Sequence, residues 1–314
     1  MPRRSWIRHL NALPGNVRGA AWLFASTLGF AAMNGLSKSL GAELHSHEIS
    51  FFRCLFGFLV MVPFVFRGGV SGLRTGRPWL LVLRSVIGIG AMLATFHALT
   101  HLPLAVSITL FFTKPLWMIV LAVLFLGERV HWQRWAATLA GFGGVLVMLR
   151  PGLGGFPLDA AVLSAIGAAF GMSVVLVIIK TLTLSEKPAA MVFWFSLAAA
   201  IGTALPAWWV WKTPSPEQFA LLALNGALGS LAQYCVTRAY RAAKEATAIT
   251  PVDYFQLLFS GLVGAIWFGE VPEGWTLAGA GIVVLSTLYV VRYEARGRKS
   301  GDRSGRVAVC RLKR

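Results

Sequence analysis

Apolar stretches of about 16 to 24 residues, each bounded by a short cluster of glycine, proline or charge, recur along almost the whole chain. They fall near residues 18–37, 48–66, 79–98, 103–126, 134–149, 158–179, 189–211, 217–237, 247–268 and 274–291. A helix rising about 1.5 Å per residue crosses the roughly 30 Å hydrocarbon layer in about 20 residues. Lipid offers no hydrogen bonds, so a crossing segment must satisfy its own backbone as a helix or close into a barrel. These stretches are too long and too uniformly apolar for barrel strands. The pattern predicts an all-α membrane protein of ten transmembrane helices.

Composition agrees with that solvent. Of the 314 residues, 56% are hydrophobic and only 13% charged, and the mean hydropathy is +0.68, whereas soluble domains carry about 25% charged residues. The formal net charge of +17 would raise nucleic-acid binding if it formed a patch on a domain face. It lies instead in short loops and tails, densest in "RYEARGRKSGDRSGRVAVCRLKR" after the last apolar stretch, so lipid is the expected partner and nucleic acid is not. Of the 29 Lys and Arg, 23 fall on the side of the N-terminus, 2 (Arg150 and Lys212) on the other, and 4 (Lys38, Arg53, Arg84 and Lys114) within or at the ends of spans. The positive-inside rule then predicts a multi-pass protein of the bacterial inner membrane with both termini cytoplasmic, the basic tail facing the anionic leaflet. The first stretch contains Asn34 and Lys38 and precedes no small-residue cleavage pattern, so it reads as a retained span. Cys54, Cys235 and Cys310 have no metal-ligand spacing, and an incidental role is expected for them.

The chain repeats itself. "LGE" at Leu126–Glu128 leads into "TLAGFG" at Thr138–Gly143, and "FGE" at Phe268–Glu270 leads into "TLAGAG" at Thr276–Gly281. The two pairs of motifs lie 142 and 138 positions apart. This divides the chain into a tail at 1–17, repeats of five helices at 18–150 and 158–292, and a basic cytoplasmic tail at 293–314 expected to be disordered. An odd number of spans per repeat makes the second copy enter the membrane upside down. Inverted repeats place a substrate site near the bilayer midplane, between the halves, and supply two states for alternating access.

The chain resembles the drug/metabolite transporter superfamily in its EamA-type branch of two five-helix repeats. The carriers of the resemblance are "ISFFRCLFGFLVMVPF", "LRSVIGIGAMLATFHALTHLPLAVSITLFFTKPLWMIVLAVLFLGE" and "TPVDYFQLLFSGLVGAIWFGEVPEGWTLAGAGIVVLSTLYVVR", in that order over residues 18–292. It implies a secondary active transporter of a small polar or amphipathic metabolite, with no cofactor. The last block is similar to a bacterial subgroup that includes proposed S-adenosylmethionine and riboflavin carriers. Proton-coupled export and uptake or exchange of a preformed metabolite both stay open, as do a monomer and a homodimer.

Charges within lipid are costly and tend to face the bundle interior. Lys114 lies at the middle of the fourth span, followed by Pro115, which is expected to loosen the helix there. Asp253, after Pro251, lies in the ninth span, the inverted counterpart of the fourth. The two are candidate partners across the halves, either as a fixed ion pair or as a site for a substrate group or a proton. Arg53 and Arg84 match arginines recurring in the family pattern, and structural anchoring competes with a gating or substrate role for each. Asn34, His97, Trp117, Gln233, Tyr234, Tyr254 and Gln256 are candidate cavity residues, although polar side chains in lipid also act as interhelical glue. His97 and His101 lie four apart, but no carboxylate or thiol joins them, and no metal is expected. Glu128 and Glu270 close the fourth and ninth spans, where loop hydrogen bonding is expected of them. The small residues Gly88–Ala91 and Asn225–Ala232 are expected to permit close helix approach. No phosphate-cradling motif favours ATP drive. The clustered carboxylates or His–Ser pair of an embedded enzyme are missing, as is the repeated filter of a passive channel.

Overall fold

The computed structural model describes residues 14–66, 73, 75–101, 110–128, 130–149, 160–269, 274–275, 277–286, 288–289 and 292. Glu270, Arg150, Cys310, the start of the fourth span at 102–109 and the tail 293–314 lie outside them. The described residues are helical, with no strand among them. The helices are α1 (Gly15–Leu40), α2 (Ser46–Phe66), α3 (Pro78–His101), α4 (Lys114–Leu126), α5 (Trp132–Leu149), α6 (Ala160–Leu182), α7 (Pro188–Trp209), α8 (Pro216–Ala242) and α9 (Phe255–Phe268). A short apolar helix, α10, covers Leu277–Ser286. By length and composition four of the described helices can cross a membrane: the Pro78–Thr95 stretch of α3, α6, α7 and α8.

Local chemistry sets the ends. Proline stands in the first turn of α4, α7 and α8, where a missing backbone N–H costs nothing. Ser215 and Gln218 form a reciprocal capping box on α8, Ser215 Oγ accepting from the Gln218 amide at 3.3 Å and Gln218 Oε1 accepting from the Ser215 amide at 2.8 Å. Helices α4 and α9 both stop at a left-handed glycine, Gly127 at φ 64° and Gly269 at φ 66°, a conformation that costs any other residue steric strain. These glycines are 142 positions apart, so the sequence duplication carries the same stop signal twice.

The outward faces are apolar: Leu124 and Phe125 of α4 are 70% and 73% exposed, and Ile201 of α7 is 69% exposed. An apolar exterior of this kind suits lipid. Exposed Trp79 and Trp132 open α3 and α5, and exposed Trp208 and Trp209 close α7, the positions of an interfacial aromatic belt.

Among the described residues, packing between α1–α4 and α6–α9 follows a pattern that survives exchange of the two sets. Helix α1 lies on α8 and α3 on α6; α1 touches α9 and α4 touches α6; α2 touches α8 and α3 touches α7; α2 and α7 pack on each other. Two polar ties repeat the exchange. Glu43, in the α1–α2 turn, accepts from the Gln218 side-chain amide at the start of α8. Glu186, in the α6–α7 turn, accepts from Thr75 Oγ1 and the Gly76 amide just before α3, each at 2.9 Å. Glu186 follows Glu43 by 143 positions and Gln218 follows Gly76 by 142.

The small-residue face of α8 does what its composition suggested. A Cβ on Gly226 would lie 2.5 Å from Phe56 Cβ and 3.0 Å from the Arg53 carbonyl oxygen, so α2 and α8 touch backbone to backbone. Gly226→Val should force the helices apart and cost about 1–3 kcal/mol, the usual range for overpacking. A fall in the melting temperature of the purified protein would register it.

Candidate functional site

The site begins with two interrupted helices. Helix α4 starts at Lys114, after a turn in which the Thr113 amide donates to Leu110 O at 3.1 Å. Pro115 therefore sits in the first turn of the helix that follows the break, and the turn it was expected to loosen is the one just before it. In the other half, Thr250–Tyr254 form a 3-10 turn with Pro251 near its start, running into α9. Lys114 and Asp253 lie at these two interruptions, and Lys114 Nζ is 3.0 Å from Asp253 Oδ2.

The pair is buried unequally, with the Lys114 side chain 22% exposed and that of Asp253 8% exposed. The contact is one of charge. From α6, Ser173 Oγ bridges Lys114 O (2.9 Å) and Ala169 O (2.8 Å), which holds the start of α4.

Among the other candidates, Tyr254, Gln256 and Trp117 lie within one turn of the pair in sequence. Tyr254 is fully buried, donates its hydroxyl to Thr138 O at 3.1 Å and fills the space opposite Gly141, so its polar tip is committed to α5. Gln256 is half-buried. Trp117 is half-buried and packs edge-on against Phe170, with centroids 5.6 Å apart. Other residues engage elsewhere: His97 is exposed with Nδ1 3.1 Å from Ser164 Oγ, and Tyr234 packs on the Met61–Val65–Val192–Phe193 cluster. Gln233 is half-buried and its carbonyl accepts from Thr237 Oγ1, and Asn34 is exposed on α1.

The two arginines differ. Arg84 is fully buried, donates through Nη1 to Met191 O at 2.9 Å and lies 4.4 Å above the Phe195 ring, pinning α3 to α7, while its Nε and Nη2 make no hydrogen bond. Arg53 is half-buried and lies against Gly229, where an added Cβ would come 3.1 Å from its Nε. Among the described residues, no group of three or more His, Cys, Asp or Glu could hold a metal.

Sequence reasoning missed Tyr240 and the long-range partners of Glu128. Tyr240 of α8 is fully buried, with the Thr250 side chain at its hydroxyl and Asp253 within electrostatic reach. Glu128, expected to bond a loop, clasps the turn before the 3-10 segment, accepting from the Ala246 amide, the Thr247 amide (3.1 Å) and Thr247 Oγ1 (2.8 Å). Around this clasp Arg134 binds Thr247 Oγ1 at 3.1 Å and pairs with Glu245, Asn16 Oδ1 accepts from the Lys244 amide at 2.8 Å, and Lys180 Nζ donates to Tyr240 O and Ala243 O. Only the doubled "GE" motif hinted at it.

A family model described as the EamA-like transporter family matches residues 17–150 and again 159–292. The chain belongs to the EamA-like transporter family. It is a multi-pass membrane protein and a small-metabolite transporter of the drug/metabolite type. This EamA-like chain is 33% identical over 286 residues to an S-adenosylmethionine uptake transporter of Rickettsia felis, covering 91% of this chain and 96% of that one. It is 34% identical over 292 residues to a riboflavin transporter of Rhizobium johnstonii, covering 89% and 93%. A pseudopaline exporter of Pseudomonas aeruginosa is 32% identical over 268 residues, 84% of this chain and 92% of that one. A crystal structure of another protein superposes with a TM-score of 0.72 at 21% identity, covering 87% of this chain and 97% of that one, and so shares its fold.

Proposed function

We propose that this EamA-like chain is a secondary active transporter of the bacterial inner membrane that binds its metabolite at Lys114 and Asp253 and alternates access by rocking two inverted five-helix halves, 18–150 and 158–292. The observation that carries this reading is the ion pair itself, made between the halves at the interrupted starts of α4 and the 3-10/α9 segment. Broken helices meeting at a repeat interface offer free backbone groups and helix ends to a ligand in mid-membrane. The exchange of Glu43–Gln218 for Glu186–Gly76 supports a two-fold relation between the halves. The lysine and arginine bias supports ten spans with both termini cytoplasmic. In that orientation the Glu128 clasp lies on the cytoplasmic side, where it fastens the first half to the 244–247 turn of the second.

Purified full-length protein in liposomes, offered labelled S-adenosylmethionine and riboflavin under an imposed pH gradient, tests the reading. Accumulation of one of them that is lost in Lys114→Ala and Asp253→Asn is expected. Transport at the original rate in both folded variants would remove the pair from the mechanism. If the carrier is proton-coupled, Asp253→Asn should abolish gradient-driven transport; an exchanger should instead need substrate on both sides and no gradient.

A further inference from the structure

We propose that Glu128 and Arg134 are the cytoplasmic gate of this carrier, a latch that must release the 244–247 turn before the Lys114–Asp253 site opens to the cytoplasm. The assignment rests on the reading of two rocking halves with both termini cytoplasmic.

The latch divides along the boundary between the halves. From the first half, Gly127 ends α4 in a left-handed turn, and the next residue, Glu128, accepts from the Ala246 and Thr247 amides and from Thr247 Oγ1. Arg134, in the first turn of α5, donates to Thr247 Oγ1 at 3.1 Å and pairs with Glu245. Asn16 Oδ1, in the first turn of α1, accepts from the Lys244 amide at 2.8 Å. On the other side of the boundary, Lys180 Nζ donates to Tyr240 O and Ala243 O, so the turn stays with α6 and α8 when the halves part.

What the latch grips is the approach to the site. The turn runs directly into the 3-10 segment that carries Asp253, and every residue from Ala246 to Tyr254 is buried. Moving that segment to bare Asp253 to the cytoplasm carries the turn away from Glu128. The grip is also placed where it can be released. Glu245 is 38% exposed and Lys244 is exposed, so the latch borders solvent, where water takes over a broken hydrogen bond and the net loss is small. The ties of Glu43 to Gln218 and of Glu186 to Gly76 differ: both are made in the same state, so neither marks one side as closed.

Covalent bridging tests whether the contact has to break. In the full-length protein with Cys54, Cys235 and Cys310 replaced by serine, Glu128→Cys and Thr247→Cys would be joined by a short bis-methanethiosulfonate that a reductant removes. Uptake of labelled S-adenosylmethionine and riboflavin would be followed in liposomes. Bridging should cut transport at least about 10-fold, as fixing one state of an alternating carrier does, and reduction should restore it. A contact that only braces the protein tolerates the bridge, so equal transport before and after bridging would overturn the gate.

A second measurement needs no transported ligand. Thr250→Cys, in the buried stretch between the latch and Asp253, should react with a membrane-impermeant thiol reagent in inside-out vesicles about 10-fold faster once Glu128→Gln and Arg134→Gln are added. An unchanged rate, or acceleration only from the outer side, would overturn the assignment. If transport survives Lys114→Ala and Asp253→Asn yet is lost on bridging, the site is wrong and the gate stands; the reverse result removes the gate and keeps the site.

Discussion

Neutralising one member of the Lys114–Asp253 pair should lower transport at least about 100-fold and also cost the protein about 3–5 kcal/mol of stability, the range for stranding one charge of a buried pair. Both partners have little solvent, at 22% and 8% side-chain exposure, so screening offers little rescue. The two effects come apart in a double variant. Lys114→Met with Asp253→Leu replaces the pair by apolar groups of similar size, which often restores or improves stability. The melting temperature should recover toward that of the wild type while uptake stays lost. If uptake recovered along with stability, the pair would be a structural brace and nothing more.

Removing the Glu128 carboxylate should produce the second large effect. Three donors from the Ala246–Thr247 turn converge on it, and hydrogen bonds to a charged group are worth about 1.5–3 kcal/mol each. In Glu128→Ala the amides of Ala246 and Thr247 should exchange with deuterium about 100-fold faster, equivalent to roughly 2.8 kcal/mol of local protection at 1.4 kcal/mol per decade. Arg134 and Glu245 should lose order with them, because Arg134 also bonds Thr247 Oγ1. Protection unchanged in hydrogen-exchange mass spectrometry would mean that the turn is held by its own backbone.

The chain's apolar stretches, their punctuation by glycine and charge, and the doubled Gly-Glu endings were all legible in the sequence, because each is local. Gly127 and Gly269 could be recognised from their place just past an apolar run, where a left-handed residue ends a helix. Lys114 and Asp253 stood out since a charge in lipid always requires explanation. What escaped was long-range pairing. Nothing near Glu128 in the sequence announces Thr247, 119 positions away, and Glu43 and Glu186 gave no sign that each would reach across to the other half. Tyr240 reads as one more aromatic at the end of an apolar helix, and only its full burial against Thr250 of the other segment singles it out. Conversely Tyr254 read as a cavity residue from its neighbours, yet its hydroxyl is spent on Thr138 O. Pro115 pointed to an interruption of its span, although hydropathy alone runs through such a break without registering it.

The opposed insertion of the halves is most directly tested by side-specific thiol labelling. In a background with Cys54, Cys235 and Cys310 replaced by serine, single cysteines would be placed at Gly76, just before α3, and at Gln218, in the first turn of α8, 142 residues apart. A membrane-impermeant reagent added to intact cells should label Gln218→Cys and leave Gly76→Cys untouched until the membrane is opened. Labelling of both from the same side would contradict the two-fold arrangement, and with it the shared site between the halves.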